Sequence, residues 1–187
     1  MFGHPIPVMG ISKRIFDIAA SLAGLIALSP LMAILWVLVR LGSPGPGLFA
    51  QQRVGRNEQI FTCYKFRTMH VGTAQRATHE VSKSAITSTG KILRRFKLDE
   101  LPQLWNVLIG DMSLVGPRPC LPVQDVLIAE RRKRGVYTLR PGVTGLAQVR
   151  NIDMSKPERL AEIDAEYMQR QSLMFDLRLI LKTIFPG

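Results

Sequence analysis

Cysteine and histidine are scarce in this sequence, and several familiar catalytic motifs are missing. The 187 residues include two cysteines, Cys63 and Cys120, and three widely scattered histidines. The cysteines match no CxxC or zinc-ligand spacing, so we interpret them as buried or incidental thiols of a reducing compartment. The sequence also lacks a Walker loop, a GxGxxG followed by an acid, HExxH and GxSxG, which excludes these nucleotide, metalloprotease and hydrolase motifs.

Acidic residues are also few. The chain has 14 Asp and Glu against 25 Lys and Arg, a formal net charge of +11. Such a charge attracts polyanions, which include nucleic acid, anionic lipid and phosphorylated substrates. However, 47% of the residues are hydrophobic, and no helix-turn-helix, RRM or zinc module is recognisable. A chain that is both basic and apolar favours a membrane surface, and we expect no nucleic-acid partner.

One long segment contains no charged residue. Residues 18–39 form an uncharged run of 22 residues, which is about 33 Å long as a helix and sufficient for the ~30 Å hydrocarbon core of a bilayer. The run is longer than the apolar region of a cleavable signal peptide, and it ends at Arg40 without a cleavage site. We therefore predict a retained membrane segment.

The middle of this segment contains Ser29-Pro30. Proline removes one helical hydrogen bond, so we expect a kink or break there. Two geometries remain open from the residues alone: a kinked helix that crosses the bilayer, or one that dips in and returns. Lys13 and Arg14 precede the segment and Arg40 follows it, which suits two cytoplasmic ends.

Two adjacent carboxylates, Asp99 and Glu100, lie among cations in the segment 97–119. For phosphate chemistry, a carboxylate can act as a nucleophile, and a second one can supply a hard oxygen ligand for Mg²⁺. We assign these roles to Asp99 and Glu100, respectively. The alternative is that the pair is solvated and has no catalytic role, because Asp-Glu pairs are common at helix starts, where they face the positive end of the helix dipole.

Several cations are candidate contacts for substrate phosphates, since guanidinium and ammonium groups bind phosphate oxygens. The candidates are Lys65, Arg94, Arg118 and Arg140. For Lys65, a solvated charge at the end of a strand is an equally good interpretation.

The remaining chain shows two further patterns. Two short strands are predicted around Gly55-Arg56-Asn57, which is typical of a hairpin. Residues 172–184 predict an amphipathic helix that can lie in a membrane interface. After the carboxylates, Leu104, Trp105 and Leu108 recur at helical spacing, and this face suits either a membrane interface or ordinary core packing.

The run at 98–119, LDELPQLWNVLIGDMSLVGPRP, strongly resembles the bacterial sugar transferase family, the small monotopic phosphoglycosyl transferases that act on polyprenol phosphate. Further matches are KRxFD from Lys13, the Ser29-Pro30 pair, YKFRTM from Tyr64 and RPGVTGLAQV from Arg140. The motifs occur in family order over nearly the whole chain. The sequence departs from the family pattern in two places. Lys97 occupies a position where relatives often have Ser. Residues 149–152 also differ from relatives, and inference of the substrate by analogy is least secure in this region.

The resemblance implies an α-rich α/β fold with small strand elements, interfacial amphipathic helices and a re-entrant membrane helix broken at Ser29-Pro30. It implies that Asp99 attacks the β-phosphate of a UDP-sugar and releases UMP. Undecaprenyl phosphate then takes the phosphosugar from the aspartyl intermediate, and Glu100 binds Mg²⁺. The resemblance also implies that Arg94, Arg118 and Arg140 contact phosphate and that Lys13 and Arg14 contact lipid headgroups.

We therefore expect a flexible N-terminus at residues 1–12, a re-entrant membrane helix at 13–41 and a cytoplasmic interfacial catalytic domain at 42–187. The protein is expected in the bacterial inner (cytoplasmic) membrane, in contact with phospholipid, with its catalytic domain on the cytoplasmic face. A homodimer is one option. The alternative function is a non-catalytic membrane adaptor whose basic face, including residues 131–134, binds anionic lipid; a merely solvated run is also open.

Overall fold

The computed structural model describes residues 10–73 and 85–185, and the predicted flexible start lies mostly outside this part. The described chain is helix-rich with small strand elements, as predicted. Its helices are α1 Ile11–Gly42, α2 Ser88–Arg95, α3 Gln103–Ile109, α4 Asp125–Lys133, α5 Leu146–Val149, α6 Pro157–Arg170 and α7 Leu173–Ile184. Its strands are β1 Leu48–Val54, β2 Ile60–Phe66, β3 Ser113–Val115 and β4 Gly142–Thr144.

The helix α1 contains the uncharged segment and continues through Pro30 without interruption. Proline has no N–H to donate to the carbonyl of Ile26, four residues earlier. The Ser29 hydroxyl donates to that carbonyl instead, at 2.8 Å, and so satisfies the acceptor that proline leaves free. The helix is therefore not interrupted at Ser29-Pro30, and the kink expected from proline stays a prediction.

The start of α1 is fastened to the rest of the domain by Lys13 and Arg14. The Lys13 ammonium is buried and forms an ion pair with Asp176 on α7. The Arg14 guanidinium donates to the carbonyls of Val107 and Leu108, at 2.6 and 2.8 Å. These carbonyls lie in the last turn of α3, where the helix offers no later N–H group to donate to them. The prediction that Lys13 faces lipid headgroups is wrong, because its ammonium is buried in the domain. Arg14 is only partly buried, and its headgroup contact stays a prediction.

The end of α1 packs against the same domain. Leu35 and Val39 are buried with Phe66 of β2 and Leu93 of α2. Arg67, just after β2, donates from its guanidinium to the Ser43 carbonyl at 2.7 Å, next to the helix terminus. Both ends of α1 therefore contact one domain, although the helix is 32 residues long.

Apolar side chains remain exposed on the opposite face of α1 and on α7. On α1 they are Ile11, Ile15, Ile18, Leu22, Ile26, Leu31, Ile34, Trp36, Val37, Leu38 and Leu41. Helix α7 buries Asp176 and Leu179 and exposes Met174, Leu181 and Ile184. The amphipathic character predicted for residues 172–184 is confirmed.

Two small sheets complete the scaffold. Strands β1 and β2 form the predicted antiparallel hairpin, in which Gln51 is opposite Cys63. Strands β3 and β4 are parallel, with Ser113 opposite Gly142. Both cysteines are buried and free, which agrees with their interpretation as ordinary thiols.

The basic run 131–134 is held by acidic partners within the chain. Arg131 is buried against Asp164 of α6 at 2.7 Å. The other three cations pair with Glu58 or Glu130. This pairing leaves the run with less free charge for anionic lipid than the sequence alone suggested.

Candidate active site

Both carboxylates lie on a single 3₁₀ turn, Leu98–Glu100, between α2 and α3. Lys97 precedes this turn in the left-handed region, with φ of 56°, a conformation that costs a non-glycine residue roughly 1–3 kcal/mol. The Lys97 amide donates to the Arg94 carbonyl and its own carbonyl accepts from the Glu100 amide, both at 3.2 Å. These bonds fix the chain reversal that presents Asp99 and Glu100.

Glu100 accepts two charge-assisted hydrogen bonds on one oxygen. Its Oε1 accepts from Lys65 Nζ at 2.9 Å and from Arg118 Nη2 at 2.7 Å. Burial by itself would raise the pKa of Glu100, but the positive charges of Arg118 and Lys65 outweigh it and lower the pKa to about 2. Glu100 is therefore ionised throughout the physiological pH range.

The pKa of Asp99 is shifted in the opposite direction. Its pKa is raised, first by burial and then by the negative charge of Glu100, while Lys65 and Arg94 act against the rise. A raised pKa makes a carboxylate a better nucleophile once it is ionised. Two neighbouring carboxylates whose pKa values are pushed apart are suited to different roles, with Asp99 reactive and Glu100 a permanent anion.

Arg94 is held beside Asp99 by a hydrogen bond from its Nε to the Thr68 hydroxyl, at 2.9 Å. Burial lowers the pKa of Arg94, and the charge of Asp99 opposes this shift. Helix α2 can approach Thr68 because Gly90 has no side chain; a Cβ there would lie 2.1 Å from the Thr68 carbonyl oxygen. Thr87 caps α2 by accepting from the Gly90 amide at 2.9 Å.

Two buried arginines support the loop that carries Arg118. Arg131 donates from Nη1 to the Arg118 carbonyl at 2.9 Å, and Asp164 holds Arg131 through a bond of 2.9 Å. Arg53 donates from Nη1 to the Pro119 carbonyl at 3.0 Å. The backbone on both sides of the Arg118 side chain is thus fixed, which aims its guanidinium at Glu100.

The structure brings Lys65, Arg94 and Arg118 to the carboxylates but places Arg140 elsewhere. Arg140 donates from Nε to the Gly110 carbonyl at 2.8 Å. Gly110 follows the last turn of α3, about 10 Å along that helix from its start beside Glu100. The phosphate role predicted for Arg140 would require a substrate that extends that far.

Asn106 is a structural residue of the site that the sequence pattern did not reveal. It is completely buried on α3, where its Oδ1 accepts from the Tyr64 amide at 3.1 Å and its Nδ2 donates to the Thr62 carbonyl at 2.7 Å. These bonds join α3 to the strand that carries Lys65. Trp105 is half exposed instead, whereas Leu104 and Leu108 of the same face are partly buried, so this face is only partly packed as core.

The carboxylates fit Mg²⁺ only as part of a shared site. Within residues 10–73 and 85–185, no group of three or more His, Cys, Asp or Glu is arranged to hold a metal ion. Mg²⁺ is commonly held by one or two carboxylates together with substrate phosphates. Asp99 and Glu100 provide hard oxygens of the right type, and a diphosphate would provide the others.

Comparisons with known proteins identify the family of the chain. The family model described as Bacterial sugar transferase matches residues 8–186. The chain is 40% identical to Exopolysaccharide production protein ExoY of Sinorhizobium fredii, over 95% of this chain and 86% of that protein. It is 39% identical to UDP-glucose:undecaprenyl-phosphate glucose-1-phosphate transferase of Caulobacter vibrioides, over 97% and 72%.

A third relative is Exopolysaccharide production protein PSS of Rhizobium leguminosarum bv. phaseoli, 39% identical over 92% of each chain. The helix α1 has the length and apolar composition of a membrane span, and the described residues contain one such helix. The family match covers nearly the whole length of the chain. The chain belongs to the bacterial sugar transferase family.

Proposed function

We propose that this protein transfers a sugar 1-phosphate from a UDP-sugar to undecaprenyl phosphate and releases UMP, as an early membrane step of polysaccharide assembly. The observation that carries the proposal is the divergence of the two carboxylates, since Glu100 is a paired anion and Asp99 is a more basic carboxylate beside Arg94. The relatives named as undecaprenyl-phosphate sugar-phosphate transferases support the same reaction.

The proposed reaction has two displacements at one phosphorus atom. A carboxylate oxygen of Asp99 attacks the β-phosphorus of the UDP-sugar, and the bond from that phosphorus to the bridging oxygen breaks. UMP leaves with the bridging oxygen and its electron pair, so that the phosphosugar is bound to Asp99 as an acyl phosphate. A phosphate oxygen of the lipid then attacks the same phosphorus and frees the Asp99 carboxylate.

The cations of the site offset the charge of both substrates. Arg94 lies beside Asp99, while Lys65 and Arg118 lie beside Glu100, so each can bind a phosphate oxygen as charge moves onto it. Glu100 would hold Mg²⁺, which lowers the charge on the diphosphate when bound. Because Lys65 and Arg118 share one oxygen of Glu100, its other oxygen is the one we assign to the metal.

We infer that the protein is monotopic, with both ends of α1 at the cytoplasmic face of the inner membrane. Lys13 and Val39 contact the same catalytic domain, and a helix that crossed the bilayer would carry one of them away from it. The exposed apolar face of α1 and that of α7 would enter the lipid. Lys13, Arg14 and Arg40 flank the uncharged segment on both sides, which favours cytoplasmic ends.

The central test is Asp99→Asn, assayed for UMP release from UDP-sugars with polyprenol phosphate and Mg²⁺. We expect activity to be abolished and the phosphosugar adduct, detected by mass spectrometry in the wild-type chain, to be lost. Glu162→Gln is the matched control, because Glu162 lies in an exposed ion pair on α6. Turnover close to normal in Asp99→Asn would refute the covalent mechanism.

Topology and metal use have separate tests. Single cysteines at Ser12 and Gln52, both exposed, should react with a membrane-impermeant reagent from the same side; reaction from opposite sides contradicts the monotopic arrangement. Glu100→Gln should weaken the dependence of activity on Mg²⁺, and an unchanged dependence would count against a metal role for Glu100.

A further inference from the structure

An apolar cavity of about 380 Å³ lies between α1, the hairpin and the start of α3. Its size falls in the ~300–1,000 Å³ range of small-molecule sites. Met32 and Trp36 line it from α1, Leu48 and Phe66 from the hairpin, and Pro102 and Trp105 from α3. The Tyr64 side chain completes the lining, and none of these residues is charged.

Two walls of the cavity continue directly into the ionic site. Tyr64 and Phe66 are the neighbours of Lys65 on β2, and Pro102 is two residues beyond Glu100. Two residues of extended chain span at most about 7 Å. Since successive strand residues point to opposite faces, Lys65 faces Glu100 while Tyr64 and Phe66 face the cavity. Lys65 therefore points away from the cavity. The connection to the ionic site runs through Pro102 and the preceding turn that carries Asp99, beside which Arg94 lies.

The cavity is also continuous with the apolar surface assigned to the membrane. Trp36 and Trp105 form its rim and remain 43% and 50% exposed. Ala33, one turn before Trp36 on α1, is exposed as well and continues this surface. An apolar chain could therefore pass from the bilayer into the cavity along Ala33 and Trp36, while the Arg40 guanidinium lies over the Trp36 ring, 5.4 Å from its centroid.

We propose that this cavity binds the first isoprene units of the prenyl phosphate acceptor, with its phosphate at the cations beside Asp99. In a prenyl phosphate the apolar chain begins at the atom bonded to the phosphate oxygen. A phospholipid instead has a polar, ester-bearing glycerol between phosphate and acyl chains. The cavity fits the former better, because its lining side chains offer only the Tyr64 hydroxyl and two indole N–H groups as donors, and each buried ester oxygen of a phospholipid would need a donor.

This assignment rests on the proposed function, and a direct binding measurement tests it without turnover. The only two tryptophans of the chain, Trp36 and Trp105, both line the cavity. Farnesyl phosphate, titrated into the full chain in detergent without UDP-sugar, should change the tryptophan emission saturably. Inorganic phosphate should not change it, and dioleoyl phosphatidic acid should do so only at concentrations at least about tenfold higher. Equal responses to phosphatidic acid and farnesyl phosphate would make this a phospholipid site, and no response to farnesyl phosphate would overturn the assignment.

A variant that fills the cavity provides the second test. Met32→Trp adds bulk inside the cavity, whereas Ile34→Trp adds the same group on the exposed face of α1, where Ile34 is 58% exposed. Met32→Trp should raise the KM for the lipid acceptor at least about tenfold relative to Ile34→Trp, because part of the prenyl chain loses its apolar contacts. Equal KM values in the two variants would overturn the assignment.

The donor half-reaction separates failure of the cavity from failure of the proposed function. Exchange of labelled UMP into UDP-sugar needs Asp99 and the donor but no acceptor. If exchange occurs in the wild-type chain and in Met32→Trp while the acceptor KM is unaffected, the cavity assignment alone is wrong. If the wild-type chain shows no exchange with any UDP-sugar, the covalent mechanism itself is wrong, whatever farnesyl phosphate does to the emission.

Discussion

Replacement of Glu100 by Gln tests whether this carboxylate is the charged centre of the site. Gln keeps the shape of the side chain but removes the negative charge that pairs with Lys65 and Arg118. Both cations then lose their anionic partner in a place where the Glu100 side chain is 13% exposed. The variant should therefore be less stable at neutral pH than the wild-type chain.

The size of the effect follows from the pKa of Glu100. A fall from the usual 4.5 to about 2 in the folded protein corresponds to about 3 kcal/mol of unfolding free energy, at about 1.4 kcal/mol per pKa unit. Because the folded pKa lies below the unfolded one, this stabilisation is complete above pH 4.5 and is lost as the pH falls towards about 2. Glu100→Gln should lack this part of the pH dependence.

The assay is unfolding by urea in detergent micelles at several pH values between 2.5 and 7, without substrate. The difference in unfolding free energy between wild type and Glu100→Gln should be largest above pH 4.5 and should shrink as the solution becomes more acidic. Glu162→Gln serves as the surface control and should follow the wild-type curve. A difference between wild type and Glu100→Gln that does not change with pH would refute the reasoning.

Asp99, the neighbouring carboxylate, should affect the pH dependence of stability in the opposite way. The pKa of Asp99 is raised in the folded state, so its ionisation costs stability as the pH rises above the unfolded value of 3.8. Asp99→Asn should therefore be inactive yet more stable than wild type at neutral pH, as expected for a residue kept for reactivity. Lower stability of Asp99→Asn in the same urea assay would contradict this assignment.

Three further variants test the scaffold by urea unfolding at pH 7. Lys13→Met leaves the Asp176 carboxylate buried without its cation and should cost about 3–5 kcal/mol; a cost below 1 kcal/mol would mean that the ion pair is not maintained. Asn106→Ala removes three hydrogen bonds and should cost roughly 2–4 kcal/mol, with activity falling because β2 is released from α3. Arg132→Ala removes an exposed ion pair and should cost less than about 1 kcal/mol, so a larger loss would be unexpected.

The helix after the carboxylates shows why periodicity alone gave a partial description. The spacing of Leu104, Trp105 and Leu108 predicted one apolar face, but the structure buries Gln103, Asn106 and Val107 on α3. Polar side chains are buried there because Asn106 bonds the backbone of β2. A hydrophobicity pattern cannot reveal a buried amide whose partners lie more than 40 positions away in the chain.

The break predicted within α1 illustrates a local effect that sequence could have captured. Pro30 leaves the Ile26 carbonyl without its usual donor, and the adjacent Ser29 hydroxyl replaces it. The serine that was interpreted as part of a break thus supplies a donor to the carbonyl that proline leaves free. Side-chain bonds to the preceding turn are common for serine, so the same two residues admitted both interpretations.

The sequence by itself determined the elements that depend on near neighbours: the uncharged helix, the hairpin, the amphipathic C-terminal helix and the adjacency of Asp99 and Glu100. Only the tertiary structure decided which cations meet these carboxylates, since it selected Lys65 and Arg118 for Glu100 and placed Arg140 at the far end of α3. The physical reason is that helix and strand periodicity arises from local backbone geometry. Ion pairs instead depend on packing between distant segments, as in the pair of Lys13 with Asp176, 163 positions apart.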